Sequence, residues 1–186
     1  MAIQVSKSIS LTDYKTGEAF KLSANQIIYF MVNADGVLEI TYTDNRDNII
    51  VRLVSQSAAT VNTAAARTFA VTLESTGGLL YIHGDKIIFV DDFATNTVVT
   101  YDSKKAYPDS LVVSTGGSAI ETASENLLPV TVAATLTTRY INNLLVNAIT
   151  ADPAGSEIMY DAKGTENFSI IVEESPSAVQ ALINAL

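Results

Sequence analysis

One internal feature constrains this chain more than any other. Shifted along itself by 59 residues, the sequence comes into register twice without a gap: residues 22–68 lie over 81–127, and these over 140–186. Tyr42, Tyr101 and Tyr160 coincide, preceded by Ile40, Val99 and Ile158. Val54, Val113 and Val172 coincide, preceded by Leu53, Val112 and Ile171. Ile28, Ile87 and Val146 align, Phe30 meets Phe89, and Val61, Ile120 and Val179 share a position after Thr60, Ala119 and Ala178. Apolar type kept at fixed spacing predicts one supersecondary unit used three times, each copy needing its neighbours to bury its apolar face. The expected organisation is an arm at 1–9 followed by units at 10–68, 69–127 and 128–186, packed as one compact body.

Within a unit the apolar period changes from two to about 3.6, the mark of strands followed by a helix. The first predicted strand covers 26–32, 86–90 and 144–149, and the second 38–42, 98–101 and 157–160. Turn-tolerant residues lie between them: Asn33-Ala34-Asp35-Gly36, Ala94-Thr95-Asn96 and Asp152-Pro153-Ala154-Gly155. The third strand covers 49–54, 111–114 and 168–172. Apolar stripes at i, i+3, i+4 and i+7 then predict helices: Val61, Ala64, Ala65 and Thr68; Ile120, Ala123, Ser124 and Leu127; Val179, Leu182, Ile183 and Leu186. Ser57, Ser118 and Ser175 or Ser177 are expected caps, and Pro176 suits a first turn. The Leu/Ile stripe of the last helix predicts deeper burial or a neighbouring chain against it.

Linking strands are expected at 70–73, 79–82 and 129–132, with a further strand at 3–9. The third helix has no strand after it, so the N-terminal strand is expected to complete an open sheet, in its own chain or in a neighbour. The fold class read from all this is α+β and strand-rich: three tandem repeats of about 59 residues, each of β-β-β-α type, joined by linking strands.

Composition narrows the function. A mean hydropathy of +0.25 excludes general disorder, yet no stretch approaches the ~20 apolar residues of a spanning helix, and no membrane partner is expected. The segment 1–7 alternates apolar and polar residues, unlike a signal peptide. Twenty Asp and Glu against 11 Lys and Arg argue against nucleic acid as a partner. With no Cys and one His, thiolate zinc, disulfides, cysteine nucleophiles and multi-histidine metal sites are excluded.

Individual motifs point the same way. His83 lies in a strand-to-turn segment, aligned with Asn142 and Ala24, and no Gly-x-Ser-x-Gly elbow accompanies it. Ser75-Thr76-Gly77-Gly78 and Ser114-Thr115-Gly116-Gly117 match neither phosphate-cradling pattern. Asp44 with Asp47, Asp91 with Asp92, and Glu173 with Glu174 could offer oxygens to calcium, but none fits a twelve-residue calcium loop; solvated loop charge is the plainer reading. The recurring tyrosines are read as core-edge rings with hydrogen-bonding hydroxyls. No catalytic, cofactor-binding or metal-ligating residue is assigned, no cofactor is expected, and the chain is read as no enzyme.

The strand-strand-Tyr-strand pattern followed by a Ser-Ala-hydrophobic helix, as in Ile158-Met159-Tyr160-Asp161, Ile170-Ile171-Val172 and Ser177-Ala178-Val179-Gln180-Ala181-Leu182-Ile183, resembles virion structural proteins of tailed bacteriophages. That resemblance covers most of the chain. It implies a non-enzymatic protein, assembled in the host cytoplasm and located in the virion, whose partners are capsid or other virion proteins. A capsid decoration protein is the first expectation, with homo-oligomerisation possible. A tail-tube or neck component is the second, and an adhesin or ligand-binding module gripping through loops 44–48 and 104–108 is the third.

Overall fold

The computed structural model describes residues 7–105, 107–161 and 167–186. Three successive segments carry the same order of elements: a β-hairpin, a 3-10 turn, a three-stranded meander and an α-helix. The first comprises β1 (Ser8–Thr12), β2 (Ala19–Ser23), the turn Ala24–Gln26, β3 (Ile27–Val32), β4 (Leu38–Thr43), β5 (Ile49–Val54) and α1 (Ala58–Ala65). The second comprises β6 (Thr68–Thr72), β7 (Leu79–His83), the turn Gly84–Lys86, β8 (Ile87–Asp92), β9 (Thr97–Tyr101), β10 (Asp109–Val113) and α2 (Gly117–Ser124). The third comprises β11 (Leu127–Thr131), β12 (Thr138–Asn142), the turn Asn143–Leu145, β13 (Val146–Asp152), β14 (Gly155–Asp161), β15 (Asn167–Val172) and α3 (Pro176–Ala185). The chain is thus strand-rich α+β, as its patterning predicts.

Each segment has its own core under its helix. Ile27, Phe30, Leu38, Ile40, Val54 and Val61 anchor the first, Ile87, Val90, Val99, Val113 and Ile120 the second, and Ile158, Tyr160, Val172 and Val179 the third. Val61, Ile120 and Val179 are fully buried. Each helix is therefore pinned by one β-branched residue whose burial contributes about 2 kcal/mol.

The sheets do not respect these segments. β3 pairs antiparallel with β4 on one side and with β7 of the next segment on the other; β8 pairs likewise with β9 and β12. The hairpin strands β1, β6 and β11 are tied to β5, β10 and β15 through the bridges Asp13–Val54, Leu73–Val113 and Val132–Val172. The strands therefore follow a single path, β2-β1-β5-β4-β3-β7-β6-β10-β9-β8-β12-β11-β15-β14-β13.

A bulge at the start of each meander sets the register. Pairing shifts between Ile27 and Tyr29, between Ile87 and Phe89, and between Val146 and Ala148. The extra residue changes the phase of the alternation. Ile27 and Phe30 consequently both face the first core, while Ile28 points away from them into the second. In the same way Ile87 and Val90 serve the second core and Ile88 enters the third. Each of these isoleucines locks one segment onto the next.

Several expectations are corrected here. Ile27, Ile87 and Val146 pair with Tyr42, Tyr101 and Tyr160, so Ile27 rather than Ile28 is the structural partner of Ile87. The gap-free alignment slips by one because the meander turn is a residue longer at 33–37 than at 93–96, and a one-residue slip reverses every face. The helical stripes end sooner: Thr68 and Leu127 begin β6 and β11. Gly116, not Ser118, caps α2; Ser57 and Ser175 cap the others, each accepting from a first-turn N–H, with Pro176 as the first helical residue. α3 is not buried more deeply, since Val179 is its only buried residue. Strands β2 and β12 lie outside the expected elements; of the expected N-terminal strand, 3–6 fall outside the described residues, and its described end, Ser8 and Ile9, pairs with Ser23 and Leu22 of β2 rather than completing the third sheet.

Candidate functional site

The residues with the most chemical potential serve the fold. His83 is buried, and its Nδ1 accepts the Asp85 N–H at 3.3 Å, capping the 3-10 turn. Asn142 does the same for the Leu144 N–H at 3.1 Å and donates through Nδ2 to the Ile87 carbonyl at 2.8 Å. The Ser75–Gly78 stretch is the tip of a hairpin, with Gly77 at φ +66°. In the Ser114–Gly117 stretch, Thr115 Oγ1 accepts the Thr72 N–H, and Gly117 lies so close under the Tyr140 ring that a Cβ has no room.

Four of the acidic candidates, Asp44, Asp91, Asp92 and Glu174, are likewise engaged. Asp44 accepts N–H groups of Arg46 and Asn48 and the Asn48 amide, and these bonds, Asn48 foremost, hold its carboxyl below the ordinary value. Asp92 accepts from the Thr97 hydroxyl, and both Glu174 oxygens accept the Thr131 N–H. Among the described residues, no three His, Cys, Asp or Glu side chains converge as a metal site would require.

Asp91 marks the junction between the second and third segments. Its carboxylate receives Arg139 in a fork, with Nη2 to Oδ2 at 2.9 Å, and the guanidinium lies 4.3 Å over the Phe89 ring while Nη1 donates to the Tyr160 hydroxyl at 3.3 Å. Burial pulls the Arg139 guanidinium down, but the hydrogen bonds and charge of Asp91 outweigh it and hold Arg139 above its ordinary value. Tyr42, Tyr101 and Tyr160 are all buried, with rings against Phe20, Tyr29 and Phe168 respectively. Burial pushes the Tyr101 and Tyr160 hydroxyls up, so both stay protonated.

Apart from the buried side-chain oxygens of Thr41, Asp102, Ser103 and Asn143, which find no hydrogen-bond partner among the described residues, unused bonding capacity lies in the backbone of the edge strands. The strand path has two ends, and among the described residues β2 pairs only with β1 and β13 only with β14. Beside β13 runs a cleft of about 340 Å³ between the strand and α3, lined by the amides of Asn143, Asn147 and Gln180 as well as by Val146, Ala148, Ile149 and Ile183. Near it Leu144 is 65% exposed and the terminal Leu186 is 56% exposed. A strand with one free edge beside such a cleft can accept an added strand, backbone supplying affinity and the mixed lining selecting side chains. The sequence signalled an open third sheet, but not which strand was open, because strand pairing is non-local. The chain matches no protein-family model, no curated protein and no solved structure.

Proposed function

We propose that the chain is a non-enzymatic structural protein of a tailed-bacteriophage virion, built as three tandem repeats of about 59 residues, whose work is to join protein subunits. The observation that carries this reading is that β2 and β13, at opposite ends of one strand path, each pair along one edge only among the described residues. Strand addition at such edges fastens one folded subunit to another without chemistry. A net charge of -9 keeps the free subunit soluble until it meets its partner. Attachment to the capsid as a decoration protein is the first form of this reading. A tail-tube or neck component is the second, and the complementarity of the two edges favours it, because such parts assemble from copies of themselves.

Immunogold labelling of gradient-purified virions, with antibodies raised against the purified chain, tests the proposal. Regular labelling of the head supports decoration, and labelling of the tail or neck supports the second form. Particles that carry no label and yield no peptides of the chain by mass spectrometry refute the virion setting.

A further inference from the structure

We propose that copies of this chain join head to tail, β13 of one copy pairing antiparallel with β2 of the next. The inference rests on the subunit-joining part of the reading above and not on its virion setting.

The joint is made twice inside the chain already. At the first junction Tyr29, Phe30 and Met31 of β3 face Ile82, Tyr81 and Leu80 of β7. At the second, Phe89, Val90 and Asp91 of β8 face Ile141, Tyr140 and Arg139 of β12. In both, an outgoing edge, the first meander strand, meets an incoming edge, the second hairpin strand. Among the described residues β13 is a first meander strand with its outgoing edge unused, and β2 is a second hairpin strand with its incoming edge unused. Hairpin and bulge registers carry the pairing over residue by residue: Ala148 faces Leu22, Ile149 faces Lys21 and Thr150 faces Phe20.

The surroundings match. At the internal junctions the following hairpin also packs on the preceding helix, β6 on α1 and both β11 and β12 on α2, with Tyr140 pressed onto Gly117. Among the described residues α3 packs on β13 and on β11 of its own segment, with no further hairpin against it. The cleft between β13 and α3 lies where that hairpin would sit, and Leu182 and Ile183 are half-buried beside it for want of one. A second copy brings such a hairpin; Leu22 and Phe20 of its β2 already face their own core, so Lys21 is the side chain that the docking strand turns toward the cleft.

Two substitutions set the strength of the joint. Asn147, exposed, stands at the bulge position where Ile28 and Ile88 cross the internal junctions, and Lys21 stands where Tyr81 and Tyr140 cover the preceding core. An edge lysine weakens strand pairing without abolishing it. The joint between copies is thus weaker than the internal ones and opens reversibly. It is heterologous, so it closes into rings or runs on as filaments according to the rotation per copy.

The chain has no cysteine of its own, which makes disulfide trapping clean. Directly opposed residues of antiparallel strands have Cα atoms about 4.5–5.5 Å apart, within disulfide reach. Mixing K21C with I149C under mild oxidation should give a dimer on a non-reducing gel. K21C with T150C, whose side chains point to opposite faces, should give at least tenfold less. The double variant K21C/I149C should give a ladder of higher species. Equal yields from the two mixtures would overturn the proposal, and so would a double variant that forms its disulfide within one chain and runs as a monomer. Circular dichroism of each variant confirms that it is folded before oxidation. A ladder together with unlabelled virions would retire the virion setting alone, and labelled virions without cross-linking would retire the head-to-tail joint alone.

Discussion

Replacing Ile28 with alanine removes three carbons from a side chain that belongs to the sheet of the first segment and the core of the second, and is 0% exposed. Transfer of those carbons to water is worth about 2.5 kcal/mol at roughly 0.8 kcal/mol each. A residual cavity of roughly 60 Å³, at about 24 cal/mol per Å³, adds about 1.5 kcal/mol. The expected loss is about 4 kcal/mol, and Ile88→Ala should match it, since Ile88 is equally buried in the third core. For a chain of this length that corresponds to a fall in Tm of roughly 10 °C, measurable by differential scanning calorimetry. Asn147→Ala, at the third bulge and exposed, should move Tm by less than about 1 °C, as surface changes away from packing do. A loss below about 1 kcal/mol for both isoleucine variants, or a comparable loss at Asn147, would refute the reasoning that the bulges aim one segment into the core of the next.

Other outcomes follow from single sites. The hairpin tips place Gly17, Gly77 and Leu136 at positive φ, each donating its N–H four residues back, and Leu136 holds φ +56° with a side chain 68% exposed. Leu136→Gly should therefore stabilise by about 0.5–1 kcal/mol, read as a higher urea midpoint. Arg139→Ala leaves the largely buried Asp91 carboxylate and the Phe89 face unpartnered and should cost about 2–3 kcal/mol in urea denaturation. Asp44 is held below its ordinary value of 3.8 by bonds from Asn48 and Arg46. A depressed carboxyl stabilises above its unfolded pKa and loses that contribution as pH falls through the folded one. The advantage of wild type over Asp44→Ala, present at pH 5, should accordingly shrink below pH 3.8 in parallel urea titrations.

The sequence made legible those elements whose signals are local. Ile40-Thr41-Tyr42 and its counterparts read as strands because alternation and β-branching agree, and the Val61, Ile120 and Val179 helices follow from their stripes and flanking serines. β2 and β12 escaped because Lys21 and Arg139 interrupt five-residue strands with a charge; Phe20 and Leu22 alternate around Lys21, whereas in β12 Tyr140 and Ile141 are adjacent and break the alternation. The bulges left a subtler trace, the doublets Ile27-Ile28 and Ile87-Ile88, in which neighbouring apolar residues face two different cores. The third segment has Val146-Asn147 in place of the doublet, at the end of the strand path. Which edge stays open lay beyond local reading, because it depends on β3 meeting β7 some 50 residues away in sequence.

The central claim, that the chain is made to join copies of itself edge to edge, is met most directly by its mass in solution. Multi-angle light scattering over a concentration series should show a weight-average mass that climbs from 19.8 kDa through its multiples. Asn147→Ile, which restores the apolar residue of the internal junctions, should move that climb to at least tenfold lower concentration. A mass fixed at 19.8 kDa at every concentration, for wild type and Asn147→Ile alike, would contradict the account.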